Sequence, residues 1–194
     1  MNFKKNSAII LCGGRGTRLG SIGKKIPKSL IQINGHPIIW YIINNLVKNS
    51  FNHFILPVGY KGNLIKRYFQ KHPKFKNLDI EIVDTGKDTS ISKRIFKIKK
   101  KIASKNFLLM NGDAIFDFNL KRIFKGHIIN KSDLTFIGAE NNLAYGTVGI
   151  KKNRIVSFER NITFNSVKSK KDKNLVAYVY SGMSILNQKV LEIK

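Results

Sequence analysis

The sequence is poor in cysteine, tryptophan, proline and acid: one, one and four of the first three, and 11 aspartates and glutamates against 36 lysines and arginines in 194 residues. A lone Cys12 excludes an intramolecular disulfide, and no second thiol stands at metal-ligand spacing from it. No run of eighteen apolar residues occurs, which excludes a hydrophobic membrane-spanning helix, and Met1 to Asn6 lacks the apolar core of an export signal. A cytoplasmic protein with no membrane partner is expected. The shortage of acids leaves a net charge of +25, which raises nucleic acid as a ligand. The lysines are nevertheless spread over the whole chain, clustering only at Lys97, Lys99, Lys100, Lys101 and at Lys168, Lys170, Lys171, Lys173. Many Asn, Ile and Phe accompany them, the mark of a compositional bias rather than of a binding face. Specific nucleic-acid binding is not expected; weak polyanion binding at low salt is.

What is present is enough apolar material, 42% of residues, for the core of a single α/β domain. The run Ala8-Ile9-Ile10-Leu11 reads as a buried strand, and Cys12-Gly13-Gly14-Arg15-Gly16-Thr17-Arg18 follows it directly. Three glycines in four positions allow positive φ and close backbone approach, so successive N–H groups can converge on an anion. Arg15, Arg18 and Lys28 add donors suited to phosphate oxygens. Neither the Walker pattern nor Gly-x-Gly-x-x-Gly fits the spacing.

The rhythm then repeats. Ser29 to Ile33 reads as extended and Asn34-Gly35 as a turn; Pro37 at a first helical position opens a helix to Lys48, with Ile38, Ile39, Ile42, Ile43, Leu46 and Val47 on one stripe. Phe54 to Val58 is a second strand, Gly59-Tyr60-Lys61-Gly62 its turn, Asn63 to Gln70 a helix and Ile80 to Val83 a third strand. A helix over Ile91 to Ile102 places Ile91, Ile95, Ile98 and Ile102 inward, and strands are expected at Phe107–Met110, Leu134–Ile137 and Val176–Val179. This alternation predicts an α/β fold, a Rossmann-like three-layer sandwich with a mostly parallel mixed central sheet, whose ligands sit outside the carboxyl ends of the strands. Asp113, behind Asn111-Gly112 at such an end, is expected to be an oxygen ligand for a hard divalent cation beside bound phosphates. Asp117 is expected to cap a turn or helix, and His36, His53, His72 and His127 to lie on surfaces or helix ends.

The segment from Gly13 to Arg18, with Pro27-Lys28 following and Lys28 ten positions after Arg18, resembles the signature of the sugar-phosphate nucleotidylyltransferases. Within that family, Gly35-His36-Pro37-Ile38-Ile39-Trp40, Tyr60-Lys61-Gly62 and Val83-Asp84-Thr85-Gly86 are similar to motifs of the glucose-1-phosphate cytidylyltransferases. The resemblance implies a transfer of CMP from CTP to the phosphate of a small acceptor, with magnesium as cofactor and pyrophosphate released, in making precursors of capsule or lipopolysaccharide. It implies Arg18, Lys28 and Asp113 as catalytic residues, with Asp113 holding Mg2+. Leu11, Cys12, Gly13, Gly14, Arg15, Gly16, Thr17, Asp84, Thr85, Gly86 and Gly112 would bind the nucleotide. Tyr145, Gly146, Glu159, Arg160 and Tyr180 would bind the acceptor. The nucleotide half would span 1–120 and the acceptor half 121–194.

The sequence also departs from the family. Ser92 and Lys93 stand where glycines usually precede its arginine, here Arg94; the segment ending in Glu159-Arg160 is one residue shorter and has Arg for Lys. Tyr180 stands where sugar-specific members carry an Asn two residues before a glycine, which moves the expected acceptor from glucose 1-phosphate toward a non-hexose phosphate, such as a phosphorylated polyol or amino-acid derivative. A further magnesium aspartate is implied beyond the last strand. Asp172 is the only late candidate, and the pattern broken at Val190 to Ile193, where a helix starts, predicts that the chain continues. A homo-oligomer is compatible with all of this. The rival reading is a non-catalytic nucleotide- or sugar-binding regulatory homologue, favoured by the missing aspartate and opposed by Arg18, Lys28 and Asp113.

Overall fold

The apolar run after Asn6 forms β1 (Ser7–Leu11) at the centre of a six-stranded sheet. The computed structural model describes residues 5–139, 147–152, 154–159 and 179–192; for Arg18, 147–150, Ser157 and Glu159 it describes the backbone alone. β4 (His53–Val58) and β6 (Asn106–Asn111) flank β1 in parallel, and β5 (Asp79–Asp84) continues in parallel beyond β4. β10 (Val179–Asn187) joins β6 antiparallel, and β7 (Leu134–Ala139) completes the order β5-β4-β1-β6-β10-β7. This is the mixed, mostly parallel sheet expected. The chain leaves β1 toward β4 and β5 on one side and reaches β6 on the other, so a crevice opens where the loops after β1 and β6 diverge.

Both faces of the parallel strands are covered, as the unbroken apolar runs require. Ile9, Ile55 and Phe107 cluster with Ile98 and Ile102 on one face, while Ala8, Phe54, Leu56, Leu108 and Met110, on the alternate positions, are equally buried. Ile98 belongs to α4 (Ile91–Ile98). The stripe expected on α2 (Ile38–Lys48) is realised, with Ile39, Ile42, Ile43 and Leu46 fully buried, although Val47 is exposed. α1 (Gly20–Lys25) and α3 (Gly62–Lys71) follow the glycine turns after β1 and β4.

Several local expectations are corrected. Ser29 is in a 3-10 turn (Lys28–Leu30), because Leu30 and Ile31 donate back to Pro27 and Lys28, and only Gln32–Ile33 (β2) is extended. Pro37 is not the first helical residue: with ψ 154 it is extended and pairs with Gln32 in β3 (His36–Pro37), and the helix begins after it. Asn34 and Gly35 supply the expected turn, at φ 47 and 80. The helix begun at Ile91, itself exposed, ends at Ile98, and Lys99–Lys101 form a 3-10 turn. α5 (Leu120–Ile129) is an additional helix, capped by Asn119, whose side chain accepts from the Arg122 N–H at 3.0 Å, and not by Asp117.

His53 and His127 are both buried, although His127 does stand at a helix end, in the last turn of α5. The first bridges the Ser7 hydroxyl (2.9 Å) and the Glu81 carboxylate (3.1 Å) across the amino ends of β1, β4 and β5. The second lies between Thr135 and Asn106. The terminal pattern closes as a 3-10 turn (Gln188–Leu191).

By compactness the chain divides into a unit of 1–135 with 182–194 and a unit of 136–181. In the second, β8 (Thr147–Lys151) and β9 (Arg154–Glu159) form an antiparallel hairpin with a register shift after Gly149. Of the expected strand at 176–179 only Val179 falls within the described residues, at the start of β10.

Candidate active site

A cleft of about 590 Å³ opens at the carboxyl ends of β1 and β6, in the first unit. Its first wall is the glycine loop. Gly16 has φ 62, a conformation that disfavours any side chain, and the loop returns through a 3-10 turn (Thr17–Leu19) into α1. Among the described residues no acceptor engages the backbone N–H of Gly13, Gly14, Arg15, Gly16 or Thr17. A row of unengaged donors beside a cleft is suited to an anion with several oxygens.

The facing wall is the end of β6. Gly112 donates to the Leu11 carbonyl at 3.0 Å, and a Cβ on it would lie 2.7 Å from that oxygen and 2.8 Å from Cys12 Sγ. Only glycine lets β6 run this close to β1, and the next residue, Asp113, is thereby delivered to the glycine loop. Its carboxylate pairs with the ammonium of Lys28 from the 3-10 turn, through a single oxygen. Both side chains remain partly exposed.

The third wall, Lys87 to Ile91, follows β5. Arg15 reaches it from the glycine loop and pairs with the Asp88 carboxylate, its Nε at 3.0 Å. Below the same wall lies Arg94 of α4, 4% exposed. Its Nη1 donates to the Val58 carbonyl (3.0 Å) and Thr85 Oγ1 (2.5 Å), its Nη2 to the carbonyls of Gly13 (3.1 Å) and Lys87 (3.3 Å). Burial lowers its pKa from the ordinary value, opposed by the nearby Asp84 and Asp88 carboxylates. Burial also pushes the Cys12 thiol up to about 12. Cys12 is therefore a neutral packing residue at pH 7 and no nucleophile.

Leu11, Cys12, Gly13, Gly14, Arg15, Gly16, Thr17, Lys28, Gly112 and Asp113 thus converge on one cleft. Arg18 lies in the 3-10 turn beside it, its side chain outside the described set. Asp84, Thr85 and Gly86 do not line the cleft: Thr85 is buried and donates to the Val58 carbonyl at 2.8 Å, while the Asp84 carboxylate accepts from the Gly86 N–H. Lys61 turns to the last carbonyls of α1, those of Lys24 and Lys25.

Of the acceptor residues, Tyr145, Gly146 and Arg160 lie outside the described residues, as does Asp172, and Glu159 is described by its backbone in β9. Tyr180, half-exposed, meets the Phe136 ring edge-on at 5.5 Å. Arg94, Asn111, Leu19, Ser29 and the wall from Lys87 to Ile91 were not anticipated in the cleft. For Arg94 a signal existed: it stands four residues before Ile98 and eight before Ile102, on the buried stripe of α4. A charge on such a stripe has a local task.

Among the described residues no three metal-ligating side chains gather. Asp113 alone still fits magnesium, which keeps several waters and binds through one or two carboxylates plus substrate phosphates. The second carboxylate oxygen and the adjacent free N–H row offer that combination.

The family model for nucleotidyl transferases matches residues 7–194. The chain belongs to the nucleotidyl transferase family. "Probable glucose-1-phosphate cytidylyltransferase" of Bacillus subtilis is 28% identical, covering 95% of this chain and 76% of that protein. The D-glycero-alpha-D-manno-heptose 1-phosphate guanylyltransferase of Campylobacter jejuni is 34% identical over 80% of this chain and 68% of its own. In fold, HddC from Yersinia pseudotuberculosis, solved in complex with GMP-PN, superposes with a TM-score of 0.71 at 24% identity, covering 97% of this chain and 80% of that one. The family is one of sugar-phosphate nucleotidyltransferases, and an enzyme of that class is what this cleft belongs to. No helix among the described residues is long and apolar enough to cross a membrane.

Proposed function

We propose that this chain transfers CMP from CTP to the phosphate of a small acceptor, a sugar 1-phosphate or a non-hexose phosphate, releasing pyrophosphate. What carries the reading is the meeting, at one cleft, of the unengaged N–H row of the glycine loop with Lys28 and Asp113. The acceptor phosphate oxygen attacks the α-phosphorus and pyrophosphate leaves, so the protein's work is positioning and neutralising charge. The loop N–H groups hold the triphosphate, Lys28 orients the acceptor phosphate, and Arg18 stabilises charge on the departing pyrophosphate. Asp113 would hold magnesium, which when bound would neutralise phosphate charge.

CTP is favoured by the relative similar over nearly the whole chain; GTP is the base to test against it, since the guanylyltransferase relative is more identical over a shorter stretch. Acceptor recognition is assigned to Tyr145, Gly146, Glu159, Arg160 and Tyr180, and the product to precursor synthesis for a surface polysaccharide in the cytoplasm. The deciding assay is pyrophosphate release by the protein with each nucleoside triphosphate, magnesium and a panel of phosphorylated acceptors. CTP should turn over at least about tenfold better than UTP or GTP, because a pocket built for one base leaves polar groups unpaired with another. Best turnover with glucose 1-phosphate would overturn the part of the reading that rests on Tyr180. No release with any pair would leave a binding protein.

A further inference from the structure

The structure assigns Arg94 a positioning role for the glycine loop, and this rests on the function proposed above. The Nη atoms of its guanidinium reach only neutral acceptors among the described residues, and these come from three separate segments: the end of β4, the loop after β5 and the glycine loop. Burying an arginine so, with no carboxylate in contact, is costly unless the charge or the fork is used. The fork is used at the loop. Nη2 holds the Gly13 carbonyl, and the peptide that follows is trans, so the Gly14 N–H in the same plane points the opposite way. Among the described residues no acceptor engages that N–H, and a Cβ position on Gly14 has nothing within 4 Å. Arg94 therefore aims a donor of the phosphate cradle without touching it from the cleft side.

The packing fits the same task. A Cβ on Gly13 would lie 2.4 Å from Arg94 Cζ, and one on Gly59 would lie 2.7 Å from Nη1. A side chain at either Gly13 or Gly59 would thus collide with the guanidinium. The Gly13 φ is not in the left-handed region, so its backbone does not by itself oppose alanine, and the three atoms nearest to an added Cβ all belong to the arginine. At Gly59 the Gly86 carbonyl is a second obstacle, 2.5 Å away, which makes Gly13 the cleaner probe. Through the Lys87 carbonyl the same side chain also fixes the wall from which Asp88 meets Arg15.

The test is a double-mutant cycle on Gly13→Ala and Arg94→Ala, read by calorimetric affinity for CTP with magnesium, by kcat and KM, and by thermal melting to establish that each variant is folded. Arg94→Ala should lower kcat by about 10²-fold, the scale of a small misplacement. Gly13→Ala alone should weaken CTP by roughly tenfold or more, yet add less than about twofold in the Arg94→Ala background, where its obstacle is gone. Arg94→Lys keeps the charge and loses the fork, so kcat should stay low. Independent, additive losses in the cycle, a silent Gly13→Ala, or full recovery of kcat by Arg94→Lys would each overturn the assignment. A wild type that binds CTP without turnover would overturn the proposed function alone, since the cycle still reads through affinity. A wild type that binds no nucleoside triphosphate would overturn both.

Discussion

Lys28 and Asp113 are in contact across the cleft, and the proposed reaction would give them different partners: the acceptor phosphate for one, a cation for the other. Neither contributes much to stability through this pair, because exposed ion pairs are worth little. Lys28→Ala and Asp113→Ala should therefore leave the melting temperature nearly unchanged while lowering turnover by ~10²–10³, the usual loss for a group aimed at developing charge. Steady-state assays with circular dichroism melts check both halves. Arg18→Ala should behave alike, and a variant retaining more than about a tenth of wild-type turnover would speak against its role. Chelating divalent ions should abolish turnover and magnesium restore it.

At this scale the glycines, Lys28 and Asp113 were legible because their chemistry is local: a turn, a charge, a strand end. The partners of Thr85 and Arg94 were not, because these are backbone carbonyls from β4 and the glycine loop, and sequence spacing does not reveal which carbonyls the fold places within reach.

Among elements, those with a clear period were legible and those defined by caps and caged turns were not. α2 shows its stripe openly, and Ile42→Ala, at a fully buried site, should cost about 2–5 kcal/mol by cavity formation, measurable by urea titration. α5 hides its period behind Gly126 and adjacent isoleucines, and the buried His127 looks polar until Thr135 and Asn106 are brought to it.

The histidine at the amino ends of the strands has a consequence in acid. Lys101, first, and His53 hold the Glu81 carboxyl below its ordinary value of 4.5, against the opposing effect of burial. A depressed folded pKa means that the ionised form favours the fold: the contribution is complete above pH 4.5 and is lost as pH falls through the lower folded value. Glu81→Gln should thus lower the melting temperature at neutral pH and approach wild type in strong acid. A constant difference across the titration would contradict the linkage.

For the whole molecule, the parallel order of β5, β4, β1 and β6 followed from the strand-turn-helix rhythm, because parallel neighbours need crossover helices of the kind the sequence displays. The antiparallel insertion of β10 beside β6 was not foreseeable from rhythm, since it joins residues far apart in the chain. The charge of +25 acts at this scale as well. A positive surface raises the encounter rate with anionic nucleotides, and salt screens that attraction over roughly 8–10 Å at physiological strength. Accordingly kcat/KM for the nucleotide should fall steadily between low and physiological salt, while kcat, set after encounter, changes little. Stopped-flow binding at several salt concentrations would separate the two, and a flat on-rate would show that the charge has no steering effect.

The network of Ser7, His53, Glu81 and Lys101 and the cleft lie at opposite ends of the same strands. β1 is five residues long, a span of ~17 Å, beyond the range at which substitutions usually interfere with one another. The sheet therefore works as a spacer between a half that evolution or an engineer can retune for robustness and a half that sets which substrates are accepted. Libraries drawn separately at the two ends should recombine freely, each gain surviving in the presence of the other.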